Sequence, residues 1–166
     1  HMCNRNHPDF PAIDLLSDLL SSGKSARLYQ RLVKEKQLFS NVNAYITGDI
    51  EEGLFVITGQ LYPSTNFVDA ENALIEEVQN IQGAQISEYE LEKVKNKYES
   101  NFTFEETSVL NKAMNLSFFE ILGDANRINL ELEKYRNVTP ASIQKIAQQI
   151  LAESNCSTLY YKSKQQ

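Results

Sequence analysis

The chain has almost no histidine. Among its 166 residues only His1 and His7 are of that type. Zinc sites draw on three or four His, Cys or carboxylate donors, and no H-x-x-E-H, H-E-x-x-H or Cys/His cluster is present. Cysteine is equally scarce. Cys3 and Cys156 are far apart and outside any C-x-x-C pair, which argues against a disulfide framework and a structural zinc site. No apolar run approaches the ~18 residues of a membrane span. Basic residues are outnumbered, 16 against 22 acidic, for a formal charge of −6. A nucleic-acid partner, which asks for a basic face, is therefore not expected. There is no G-x-S-x-G. Ser22-Gly23-Lys24-Ser25 contains a G-K-S, but Asp18 stands where a phosphate loop needs its first glycine, and a helix precedes it instead of a strand.

What remains is 42% hydrophobic and 23% charged, a globular composition with length enough for one sizeable core. His1-Met2 has the look of a cloning scar, leaving residues 3–166 as a single domain. No targeting segment is visible, and the compartment, cytoplasmic or periplasmic, is left open.

Periodicity supplies the elements. Ile13, Leu15, Leu16, Leu19 and Leu20 follow the helical repeat behind Pro11, and Ser21, Ser22 and Gly23 end that helix. Ser25 is placed to cap a second helix, Ala26 to Lys36. Leu28, Leu32 and Val33 face inward there, and Arg27, Arg31, Lys34 and Lys36 largely outward. Val42, Ala44 and Ile46 then alternate with polar residues, which predicts a strand. Gly48 to Gly53 is a turn, and Leu54 to Leu61 returns as a second strand. Helices follow over about Asn66–Ile81, from Glu88 behind a Ser87/Glu90 capping box, over Val109–Leu122 to a stop at Gly123, over Ala125–Tyr135, and from Pro140 behind Thr139. Cys156 to Tyr161 predicts a closing strand. The order defines an α+β fold, an antiparallel-rich sheet with helices on one face. Three strands are few for so many helices, so strands upstream of residue 1 or an exposed sheet edge are expected.

The residues give no catalytic or metal site. The pairs Glu51-Glu52, Glu76-Glu77 and Glu105-Glu106 fit solvated faces. The basic run Arg27, Arg31, Lys34 fits a solvated face, or a surface that meets an acidic domain or peptide. Tyr29, Tyr160 and Tyr161 fit core or rim positions.

One stretch carries a resemblance. Leu19-Leu20-Ser21-Ser22-Gly23, then Ala26-Arg27-Leu28-Tyr29-Gln30, then Val33-Lys34-Glu35-Lys36-Gln37-Leu38 resembles the second-domain signature of the insulinase/pitrilysin-like zinc peptidases, the inverzincins. The turn and strand GDIEEGLFVI, the helix start SEYELEKVKNK, the Gly123-Asp124 break and Val138-Thr139-Pro140 fit the same pattern. The resemblance implies homologous α+β domains paired into a clamshell around peptides, one of them holding zinc on H-x-x-E-H. The matching slot here falls on Asp14-Leu15-Leu16-Ser17-Asp18, which lacks the histidines. The family's substrate-gripping arginine and tyrosine, seven residues apart, fall on Val33 and Ser40, which have neither charge nor ring. The resemblance thus implies a non-catalytic domain, a chamber wall and docking surface without catalytic or metal residues or a cofactor of its own. Zinc would sit in a homologous catalytic domain or subunit as partner, and the assembled enzyme would take a peptide substrate. The other function this leaves open is a scaffold domain descended from such peptidases.

Overall fold

The computed structural model describes residues 1–48, 50–83 and 86–162. Helix α1, Phe10–Ser21, is the centre of the molecule. Nine of its twelve residues are buried, including all five leucines and isoleucines of the predicted stripe. A helix apolar nearly all round must be enclosed on all sides. Here the strand Phe39–Ile46 lies against it on one side, and the helices Glu88–Glu105, Ile128–Arg136 and Pro140–Ile150 on the others.

Strands β1, Phe39–Ile46, and β2, Phe55–Leu61, pair antiparallel as a two-stranded sheet. The ladder shifts register between Phe39 and Asn41. This bulge places two consecutive exposed residues, Ser40 and Asn41, between two buried ones, Phe39 and Val42. An inserted residue re-aims its neighbours in this way, so Phe39 joins Val42 and Ala44 in the core. The connecting turn includes Asp49, which lies outside the described residues. Flanking it, Gly48 has φ +63°, and Gly53 bridges Met2 through both backbone hydrogen bonds. Met2 is itself buried in the core.

The helices follow as α2 Phe67–Gly83, α3 Glu88–Glu105, α4 Val109–Ile121, α5 Ile128–Arg136 and α6 Pro140–Ile150. Two of the three predicted caps form. Ser87 and Glu90 make a reciprocal capping box at α3, and Thr139 caps α6 with Ser142 returning the bond. Gly123, at φ +119°, ends α4.

Four expectations are corrected. Cys156–Tyr161 forms no strand. After a single 3-10 turn at Glu153–Asn155 the chain runs irregularly, with Leu159 92% and Tyr161 88% exposed. Its alternation of apolar and polar residues suits a strand, but pairing needs a free edge beside it, and the segment lies on α2, where Tyr160 packs edge-on against Phe67 and bonds Glu71. Tyr160 and Tyr161 are accordingly surface residues and not core ones. The second helix is not an α-helix capped by Ser25. Tyr29–Glu35 is a π-helix without a side-chain cap, and the Ser25 hydroxyl accepts from Lys93 instead. Lastly, the Ala125–Tyr135 helix divides into a 3-10 turn, Ala125–Arg127, capped by Asp124, and α5.

Candidate functional site

The region singled out by sequence is the π-helix with the hairpin behind it. π-Helical turns are rare and concentrate at functional sites. This one is closed by Lys36 N–H to the Arg31 carbonyl and Leu38 N–H to the Leu32 carbonyl, with Gln37 in the left-handed region at φ +51°. Leu28 and Leu32 are fully buried, and Val33 packs against the same core.

The three predicted cations are used differently. Arg27 makes a bidentate pair with Glu90, Nε to Oε1 at 3.1 Å and Nη2 to Oε2 at 2.9 Å. The Arg27 hydrogen bonds hold the Glu90 carboxyl below the usual range, against the opposing effect of partial burial. This ties the residues leading into the π-helix to the first turn of α3. Arg31 bonds Glu35 at 2.7 Å and lies 4.0 Å from Glu77. Glu77 is buried, not solvated as its pairing with Glu76 suggested; its neighbour Glu76 meets Lys36. Lys34 is exposed and enters no ion pair among the described residues. Arg27 and Arg31 are thus engaged by the chain's own carboxylates.

The remaining predicted positions lie apart. Val33 faces the core, while Ser40 sits at the bulge on the exposed side of β1, its hydroxyl donating to the Gln60 carbonyl at 3.0 Å. Tyr29 is half-buried. The slot Asp14 to Asp18 is inside α1. Leu15 and Leu16 are fully buried, Ser17 donates to the Asp14 carbonyl at 2.8 Å, and Asp18 is 3.8 Å from Lys97. Among the described residues no three His, Cys, Asp or Glu side chains gather where they could hold a metal. No described helix is long and apolar enough to cross a membrane.

The sheet offers its own surface. Val42, Ala44 and Phe39 point to the helices, so Asn41, Asn43 and Tyr45 point away, opposite Gln60, Thr58 and Val56. That face carries amides, hydroxyls and one aromatic ring but no charge.

Sequence reasoning missed a second polar group of residues, at the other side of α1. Tyr135 donates to Asp14 Oδ2 at 2.6 Å, and its ring stacks on Tyr98. Buried Glu131 accepts from Arg5 at 3.0 Å and Lys134 at 2.8 Å. Burial pushes the Tyr98 phenol up to about 12, and raises Asp14 despite the Tyr135 bond and Arg5. The one sequence signal for this group is Asp14, a charge inside the mostly apolar run Phe10–Leu16.

The chain belongs to the peptidase M16 inactive-domain family, whose model matches residues 1–98. Solved structures agree. The inactive peptidase domain of a putative zinc protease from Bordetella parapertussis is 25% identical with a TM-score of 0.85, over 93% of this chain and 84% of that one. A putative zinc protease from Bordetella pertussis Tohama I is 25% identical with a TM-score of 0.83, over 93% and 86%. A protease from Helicobacter pylori shares the fold at 20% identity and a TM-score of 0.81; the match covers 89% of this chain but 36% of that one. No curated protein matches the chain.

Proposed function

We propose that this inactive domain serves a zinc metallopeptidase whose H-x-x-E-H site lies on another domain or subunit. It would form one wall of the peptide chamber and a docking surface for the zinc-bearing half. Membership of the inactive-domain family carries the reading. The slot residues Asp14, Ser17 and Asp18 support it, since they are occupied by hydrogen bonds and an ion pair inside α1. The open face of the hairpin supports the wall, because neutral amide and hydroxyl groups can meet an extended peptide without selecting its charge. Val33 and Ser40 would mark the lost substrate grip. Lys34, and Arg27 and Arg31 where their internal pairs leave donors, would lie at the edge facing the partner half.

The test is reconstitution. The isolated chain should take up no stoichiometric zinc and hydrolyse no peptide, and adding an H-x-x-E-H domain encoded in the same reading frame or an adjacent gene should yield chelator-sensitive hydrolysis. Hydrolysis by the purified chain alone would overturn the reading. Absence of such a motif from both places would favour a scaffold role instead.

A further inference from the structure

The second polar group borders a cleft of about 390 Å³ between the N-terminal segment, the start of α1 and α5. Its walls hold three cations, Arg5, Arg127 and Lys134, and a single carboxylate, Glu131. In a protein of net charge −6 this is a local reversal of sign. Both Glu131 oxygens are taken, Oε1 by Arg5 and Oε2 by Lys134. The buried carboxylate therefore fixes two cations at the cleft and neutralises only one charge's worth. Arg127 uses one Nη1 donor on the Leu122 carbonyl at 2.8 Å, and its other guanidinium donors make no hydrogen bond among the described residues. Arg5 is held over the Phe10 ring at 4.5 Å. Phe10, with Pro8 and Pro11, gives the cleft an apolar side.

Fixed guanidinium forks match a planar carboxylate in two-point fashion. A volume of this order suits a small molecule, with polar groups fixing orientation and apolar wall supplying burial. We infer that this cleft binds a small organic carboxylate carrying an apolar substituent, its carboxylate between Arg127 and Lys134 and its apolar part against Phe10. A free acid and the C-terminal residue of a peptide present the same chemistry. The cleft is lined by the N-terminal segment, α1 and the α5 region, with no residue of the hairpin, and does not depend on the peptidase reading.

Titration by NMR or calorimetry tests it on the whole chain. The probes are N-acetyl-leucine, its amide, a tripeptide ending in leucine, and inorganic phosphate. N-acetyl-leucine should bind saturably, with shifts at Arg127, Lys134 and Phe10, and the amide roughly tenfold or more weakly, as expected for loss of a charged hydrogen-bonded pair. Arg127→Gln should weaken the acid by a similar factor while leaving the thermal transition in place. Arg5→Gln and Lys134→Gln are the less decisive variants, because each strips buried Glu131 of one of its two partners. Tighter binding of the tripeptide than of the free acid assigns the site to peptide C-termini; equal binding assigns it to free acids. Equal binding of acid and amide, phosphate binding as well as the acid, or no saturable shift up to the solubility of the acid would each overturn the inference.

Discussion

Tyr135 on α5 donates its phenolic proton to Asp14 on α1 across 2.6 Å, joining residues 121 apart in sequence. Its ring lies parallel to that of Tyr98 on α3, so one side chain holds three helices together. Burial raises the Asp14 carboxyl, and the Tyr135 bond opposes that rise. A carboxyl raised on folding favours the fold while protonated, and that contribution is lost as pH climbs from the unfolded value through the folded one. Removing the donor raises it further. Tyr135→Phe keeps the stacking and deletes the hydrogen bond. It should cost about 1–3 kcal/mol at neutral pH and distinctly less in acid, where Asp14 is protonated. Denaturant unfolding of both proteins across the acid range checks this; a cost independent of pH would contradict it.

The Arg27–Glu90 pair has the opposite sign. Hydrogen bonds from Arg27 depress Glu90, so its contribution is present above the ordinary glutamate range and lost as pH falls through the folded value. Glu90 also closes the α3 capping box. Glu90→Gln should retain part of the cap and lose the charge. A double-mutant cycle with Arg27→Ala should give a coupling of about 0.5–1 kcal/mol, the pair being partly exposed and screened. The coupling should shrink in acid and at high salt.

Local signals in the chain were reliable where the physics is local. The α1 stripe, the Ser87/Glu90 capping box, the Thr139 cap, the Gly123 stop and the hairpin were all legible, because each depends on residues within one or two turns. The π-helix was not. Leu28 and Leu32 fall on one side at either helical pitch, so seven residues cannot separate the two periods. The false strand at Cys156–Tyr161 failed for a different reason: strand formation depends on a partner edge, which alternation does not report. Asp14–Tyr135 and Arg5–Glu131 are contacts through space across more than a hundred residues, with no signature in spacing. The family resemblance identified the domain, but the hydrogen bonds that occupy Asp14 and Ser17 are visible only in the fold.

Phe39 and Gly59 provide a sharper test of the bulge. The Phe39 ring lies over Gly59, and a methyl group there would overlap Cε1 and Cδ1 of the ring. The requirement is for space, since Gly59 is not in the left-handed region. Gly59→Ala should therefore destabilise by about 1–3 kcal/mol, as overpacking does. Phe39→Leu should cost less in the Gly59→Ala background than in the native one, because the smaller side chain relieves the overlap. Additive costs in thermal or denaturant unfolding would show that the ring does not depend on the glycine.

Helix α4 should be the least protected of the long helices. Its buried residue Phe119 belongs to a small cluster with Leu122 and Ile128, separate from the main core that encloses α1. Leu110, Met114 and Ile121 on its other side are each more than 60% exposed. Segments with few buried apolar contacts open locally at lower free energy than the global transition. Hydrogen exchange should show α4 amides exchanging ahead of those in α1 and α6. Phe119→Ala should speed exchange in α4 and the following 3-10 turn and leave α1 protected. Leu16→Ala, in the centre of the core, should cost about 2–5 kcal/mol and speed exchange throughout. Equal effects of the two substitutions on α1 would mean that the small cluster and the main core unfold as one unit.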